Sequence, residues 1–301
     1  MVIGHCDLFH VAKMKDSFRQ RIHKYWPEFH TDDRVARVIV FPLYIPLLKR
    51  LHEQPADLPT MVEQITDCLD ALYHKAGILH RDVSAYNIMW QPSGGTGNFV
   101  LCDFDLAIDV RRDGSALERV ATAPHRTGTL PFLALELLEN DRTPHRLYHD
   151  YESLFWVVLW CAMKVDYRDK NTDRAAIDNV LHGWESTTLS EIYHKKKKVL
   201  ETRCQTLPLS QRFKSSTRIA FLLRALSWLL LRALVDGTEI QLQEQDSVAF
   251  GAKVRSWGDI MDSLVCKKTI MEALEGAAKQ AEELEARMAA ASRSQPEPLA
   301  T

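Results

Sequence analysis

The stretch His80-Arg81-Asp82-Val83-Ser84-Ala85-Tyr86-Asn87 sets a carboxylate and a carboxamide five residues apart in one short segment with no helical or strand period. An aspartate placed so can take the proton of an attacking hydroxyl, and an asparagine offers a neutral oxygen to Mg²⁺, a hard cation that prefers oxygen donors. The fixed loop between them holds base and metal ligand in register, as phosphoryl transfer requires. Upstream, Thr60-Met-Val-Glu63 reads as a capping box. Val62, Ile65, Leu69 and Leu72 follow at spacings of 3, 4 and 3, which predicts an amphipathic helix closed by Gly77 as an αL cap. After it, Ile78 to His80 is a short apolar piece leading into the loop. Downstream, Asn87 to Trp90 and Phe99 to Cys102 flank the turn cluster Pro-Ser-Gly-Gly-Thr-Gly-Asn, which predicts a β-hairpin.

Three further motifs follow in order. Leu101-Cys-Asp103-Phe-Asp105 leaves the hairpin where protein kinases carry Asp-Phe-Gly, so Asp103 is a candidate Mg²⁺ ligand. Gly128-Thr-Leu-Pro-Phe-Leu-Ala-Leu-Glu136 fits the segment that closes a kinase activation loop, with Leu135 in place of a proline. Asp150 opens a helix, Tyr148 to Met163, that is apolar nearly all round and predicts a core pillar. Together these residues resemble the protein-kinase fold from about Phe41 to Cys266. More narrowly, HRDVSAYNIM, DFDLA, GTLPFLALELL and HDYESLFWVVLW are similar to the fungal-type protein kinase family, which carries a serine two residues after the HRD aspartate and DFD for DFG.

The resemblance implies an α+β fold with a mainly helical large lobe and an abbreviated N-terminal β lobe. It implies ATP-dependent transfer of the γ-phosphoryl group to serine or threonine hydroxyls of a protein substrate. Asp82 would be the base, Asn87 and Asp103 the Mg²⁺ ligands, and Arg81 a support of the activation loop. Thr129 would touch Asp82, while Glu136 and Asp150 would be anchors. Ser84 stands where many kinases have a lysine, so one positive charge is missing from the site. Asp105 replaces a mobile glycine and adds a third carboxylate, as in small-molecule kinases. A catalytically inactive scaffold or domain fragment, and a small-molecule kinase, are the alternative readings.

The small lobe departs most. Five strands and a helix need at least about 55 residues, and only about 40 precede Phe41. Arg37 to Phe41 reads as a strand, followed by an extended connector through Leu48 because Pro42 and Pro46 interrupt it. No GxGxxG occurs. Lys13, in Val-Ala-Lys, and Lys15 are the candidate phosphate contacts, with a truncated gene model as one explanation for the short lobe. The expected organisation is a partial N-terminal lobe and hinge over 1–45, a C-terminal lobe over 46–265, and a helical or disordered tail over 266–301.

Composition narrows the class. The 301 residues carry 38 basic and 40 acidic side chains, a net charge of −2, so no global positive field speaks for nucleic acid or an anionic membrane. The six cysteines lie at least 34 residues apart, which excludes CxxC motifs and suits a reducing interior, cytoplasm or nucleus. His5, Asp7 and His10 interrupt any signal-peptide run. The apolar stretch Ile219 to Val235 contains Arg224 and Arg232, which predicts a buried helix and no membrane span. Ser190 to Cys204 predicts an amphipathic helix whose lysines 195–198 read as a solvated face, a nuclear signal or a phosphate patch. His125, His145 and His149 lack metal-ligand spacing and read as polar or capping residues. From Ile270 to Ala291 a stripe at spacings of 4 and 3 predicts a solvated helix or a weak coiled coil.

Overall fold

The computed structural model describes residues 16–21, 35–40, 42–93, 96–110, 128–140, 142–185, 188–247 and 255–293. Lys13 and Lys15, together with His125 and most of the presumed activation loop, lie outside them. The architecture is α+β, with short strands gathered before residue 110 and helices dominating after it.

Strands β1 (Asp16–Arg21) and β2 (Val35–Val40) form an antiparallel pair in which Phe18 faces Val38 across the ladder. The strand read at Arg37 to Phe41 is thus present, two residues early. The expected extended connector is shorter than predicted. After the two-residue strand β3 (Ile45–Pro46) the chain turns directly into helix α1 (Leu47–Glu53), with Pro46 at its N-cap. Proline is compatible there because a helix start has no use for its missing N–H.

Helix α2 (Leu58–Ala71) begins two residues before the predicted capping box, so Thr60 and Glu63 lie inside it and no side chain caps it. Pro59 favours the first turn, and a 3₁₀ turn at Pro55–Asp57 feeds straight into it. The natural cap, Asp57, is taken instead by Arg50, whose Nη2 lies 2.6 Å from its Oδ2 and whose guanidinium sits 4.0 Å over the Trp90 ring. The predicted apolar face is realised: Met61, Val62, Ile65 and Leu69 are buried. The end is realised too, since Gly77 adopts φ 65° and donates its N–H to Tyr73 O at 3.1 Å.

β4 (Ile78–Leu79) leads into the HRD loop and pairs with β7 (Ile108–Asp109). The hairpin is β5 (Ile88–Ser93) and β6 (Thr96–Leu101), its ladder reaching further into the turn cluster than expected, with β3 on its other edge. Gln64 of α2 ties the hairpin down by accepting the Phe99 N–H at 2.8 Å.

The large body is built from α3 (Leu135–Glu139), α4 (Leu147–Lys164), α5 (Arg174–Glu185), α6 (Leu189–Glu201), α7 (Gln211–Lys214), α8 (Thr217–Ser247), α9 (Trp257–Leu264) and α10 (Lys267–Arg293). Every residue of α4 from Leu147 to Met163 is buried, as the all-round apolar pattern predicts. At about 1.5–3 kcal/mol for each large apolar side chain taken from water, this helix contributes strongly to the cohesion of the core. The tail departs from a solvated helix. Ile270, Ala277 and Ala281 of α10 are buried where that helix packs on α8 and α2, and only beyond them does the stripe open to solvent, with Leu284 40% and Met288 59% exposed. No helix among the described residues is long and apolar enough to cross a membrane. The five described cysteines are all free.

Candidate active site

The site starts from a buried carboxylate. Asp150, in the first turn of α4, is wholly enclosed, and its oxygens accept the backbone N–H of His80 at 3.1 Å and of Arg81 at 3.2 Å. His145 Nε2 completes its coordination at 2.8 Å. Burial alone would raise the Asp150 pKa, but His145, then His80 and the Arg81 N–H, outweigh it and hold the carboxyl below its ordinary value. The consequence is a fixed turn in which Arg81 adopts φ 71°, a conformation that non-glycine residues take only under constraint. The turn is held on its other side by the His80 ring, whose Nε2 meets Cys102 O at 3.0 Å and whose edge packs against Phe104.

That turn presents Asp82. Its Oδ1 accepts both the N–H and the hydroxyl of Thr129, each at 2.9 Å, as expected for the threonine after Gly128. Asn87 Nδ2 donates to the Asp82 carbonyl at 2.9 Å and to its Oδ2 at 3.1 Å. The HRD aspartate, the asparagine and the activation-segment threonine therefore converge on one carboxylate. Gly128 makes the approach possible: at φ 119°, a Cβ there would meet Leu133 Cδ2 at 2.8 Å and Arg81 O at 3.3 Å.

Asp103 adjoins this group through the backbone, since Cys102 N donates to Asn87 O at 2.7 Å. Asp103 itself is exposed, has φ 59°, and accepts the Asp105 N–H at 3.3 Å. Asp105 is exposed beside it. Arg81 reaches the same segment, its Nη1 lying 3.5 Å from Leu106 O. Ser84 is almost fully buried, and its carbonyl accepts the Asn87 N–H at 3.1 Å, so its visible part is to shape the loop. Among the described residues no cluster of three His, Cys, Asp or Glu side chains could hold a metal by itself. Asn87 and Asp103 fit a Mg²⁺ that keeps most of its ligands as water or phosphate oxygens, which is how that ion is usually bound at nucleotide sites.

The profile of the fungal protein kinase family matches residues 7–162. The chain belongs to that family. A non-specific serine/threonine protein kinase of Drosophila melanogaster is 33% identical over 116 residues, 37% of this chain, and the matched part spans only 16% of that relative's length. The solved structure of vaccinia related kinase 3 is similar at a TM-score of 0.42 with 15% identity, covering 65% of this chain and 54% of that one.

Around the site the chain has a further polar layer. Glu136, expected as an anchor, accepts the Tyr148 hydroxyl, His149 Nε2 at 3.2 Å and Trp257 Nε1 at 3.1 Å, and burial raises its pKa. His149 is fully buried and its pKa is pushed well down, first by burial and then by His145, so it is a neutral donor. Deeper still, Lys196 is 0% exposed, which corrects the solvated-face reading at that position. Its ammonium donates to Leu133 O at 2.7 Å and lies 4.6 Å over the Trp156 ring. Nearby Glu152, also buried, accepts the Leu135 N–H at 2.7 Å and Trp156 Nε1 at 3.0 Å. Lys196 and Glu152 thus clamp the backbone on either side of Ala134, just downstream of Thr129. The one hint was Glu152, the lone glutamate of a helix that is apolar nearly all round.

Burial lowers the Lys196 pKa to about 7, against the opposing pull of Glu152. Its folded value is below its unfolded one, so unfolding binds a proton between those values, and this group's contribution to stability rises with pH from about 7 upward. Lys196→Met is expected to remove that slope, which melting curves from pH 7 to 10 would display. An unchanged slope would assign the dependence to other groups.

Proposed function

We propose that this chain is an ATP-dependent protein kinase acting on serine or threonine hydroxyls. The observation that carries the reading is the Asp82 carboxylate, whose Oδ1 accepts twice from Thr129 while Oδ2 has, among the described residues, the single Asn87 donor. Oδ2 retains a lone pair for the proton of an acceptor hydroxyl. Asn87, with its Nδ2 spent on Asp82, has its carbonyl oxygen to offer a cation, and Asp103 supplies a second, charged oxygen. Bound ATP with Mg²⁺ supplies the phosphoryl group and neutralises its charge. Arg81 and Asp150 keep the base fixed while the acceptor approaches. Lys13 or Lys15 would meet the phosphates.

A second reading, nucleotide binding without turnover, is favoured by Ser84, which is buried and brings no cation to the place of the usual lysine. Ligand linkage separates the two. A ligand at 100 times its dissociation constant stabilises a fold by about 2.7 kcal/mol. Millimolar ATP with Mg²⁺ is expected to raise the melting temperature by several degrees, ATP with a chelator by less, and Asp103→Asn should erase the metal-dependent part. Transfer of labelled phosphate to a generic protein acceptor then establishes turnover. A shift without transfer supports the second reading, and no shift at saturating nucleotide rejects both.

A further inference from the structure

Away from the HRD loop, helices α8 and α10 line an open groove of about 450 Å³. One wall carries Arg203, Phe221, Arg224 and Trp228, and the other is the small-residue face Ala273, Gly276 and Ala277. Trp228 is 45% exposed, which leaves part of a large aromatic face open in the groove. The Arg203 guanidinium stacks over it at 4.7 Å, and Arg224 lies 5.6 Å from the Phe221 ring. A guanidinium held by its face keeps its in-plane N–H donors directed outward, the geometry that grips a carboxylate in bidentate fashion. Among the described residues neither Arg203 nor Arg224 has a carboxylate partner, whereas Arg232 at the groove's end is paired with Asp236 at 3.0 Å. The acid on the lining, Glu272, is 3.9 Å from Lys268.

Arg203 and Cys204 are consecutive non-glycine residues with φ of 50° and 62°. The helix α6 therefore ends in a constrained turn that delivers Arg203 to the Trp228 ring. On the opposite wall a Cβ added at Gly276 would meet nothing within 4 Å, so the groove is clear beside that helix.

We infer that this groove is a docking site for an acidic peptide segment of a partner protein, in which carboxylates pair with Arg203 and Arg224 and an apolar side chain covers Trp228. Nothing in this rests on phosphoryl transfer, and the groove shares no residue with the Asp82 site. Charge complementarity selects the occupant, because the donors in the groove are cationic and the exposed surface between them is aromatic.

The test is calorimetric titration of the full chain with a twelve-residue peptide bearing a central Phe-Leu flanked by Asp and Glu, against the same peptide with Asn and Gln. The acidic peptide is expected to bind, with affinity falling as ionic strength rises. Arg203→Asn, chosen because asparagine tolerates a left-handed backbone, combined with Arg224→Glu on the exposed helix face, should weaken it at least about tenfold. Gly276→Leu, which alters no charge and meets open space, should block it by filling the groove. Circular dichroism verifies that both variants fold. Failure of the acidic peptide to bind overturns the inference, as does equal binding of the neutral peptide or unchanged binding by either variant. Preference for a phosphoserine on the neutral peptide over the acidic one would overturn it in favour of a phosphate-reading site.

Discussion

Asp82→Asn is expected to cut phosphoryl transfer by about 10²- to 10⁴-fold, the usual worth of a positioned general base, with almost no change in the unfolding midpoint. The substituted amide oxygen can still accept the Thr129 N–H and hydroxyl now held at 2.9 Å, and Asn87 keeps its 2.9 Å bond to the backbone carbonyl of residue 82. The proton acceptor is lost, together with the 3.1 Å bond that Asn87 Nδ2 makes to Oδ2. Initial rates on a protein acceptor, paired with a thermal melt, decide the matter. Equal rates would remove Asp82 from the chemistry, and a lowered melt with proportionate loss of rate would make it structural.

The second large effect falls on stability. Asp150→Ala would orphan the N–H groups of His80 and Arg81 and the ring of His145, all inside the protein. Each buried donor left without an acceptor costs about 1–3 kcal/mol, so the three together cost about 3 kcal/mol or more. At about 2–4 °C per kcal/mol for a chain of this size, the melting temperature should fall by about 6–12 °C or further. Asp150→Asn, which keeps an acceptor oxygen, should lose less. Because the folded-state pKa of Asp150 is held below its unfolded value, its contribution is present at neutral pH and is lost as pH falls through that folded value. The Ala variant should accordingly show a weaker acid dependence than the wild type. An unchanged melt for the Ala variant would mean that the HRD turn is held by something other than this carboxylate.

The parts of this site legible in the sequence are those whose spacing is local. Asp82 and Asn87 share one loop, Gly77 stops a helix of clear 3.6 periodicity, and the glycine cluster between β5 and β6 marks its own turn. The α4 pillar announced itself because a helix with no polar face has nowhere to lie except inside. What stayed hidden depends on partners distant in the chain. Thr60 and Glu63 fit a capping box, yet Pro59 and the turn before it start the helix earlier. Lys196 sits in a run of four lysines, and three carry the expected solvent exposure to some degree. It alone is taken inward by the Leu133 carbonyl and the Trp156 and Trp184 rings, none of which lies within ten residues of it. The α10 stripe likewise could not reveal which surface would cover it, because α8 and α2 are brought there by the tertiary fold.

The all-buried stretch of α4 also sets how this sequence is free to drift. An ordinary surface helix tolerates change on its outer side, so a saturation library gives a tolerance profile that oscillates every three to four residues. From Leu147 to Met163 no position has an outer side. The profile there should be a continuous low plateau, in which even the small Ser153, Cys161 and Ala162 resist enlargement because each added methylene must displace packed neighbours. In α6, where buried Ile192, Val199 and Leu200 alternate with open positions, the oscillation should return.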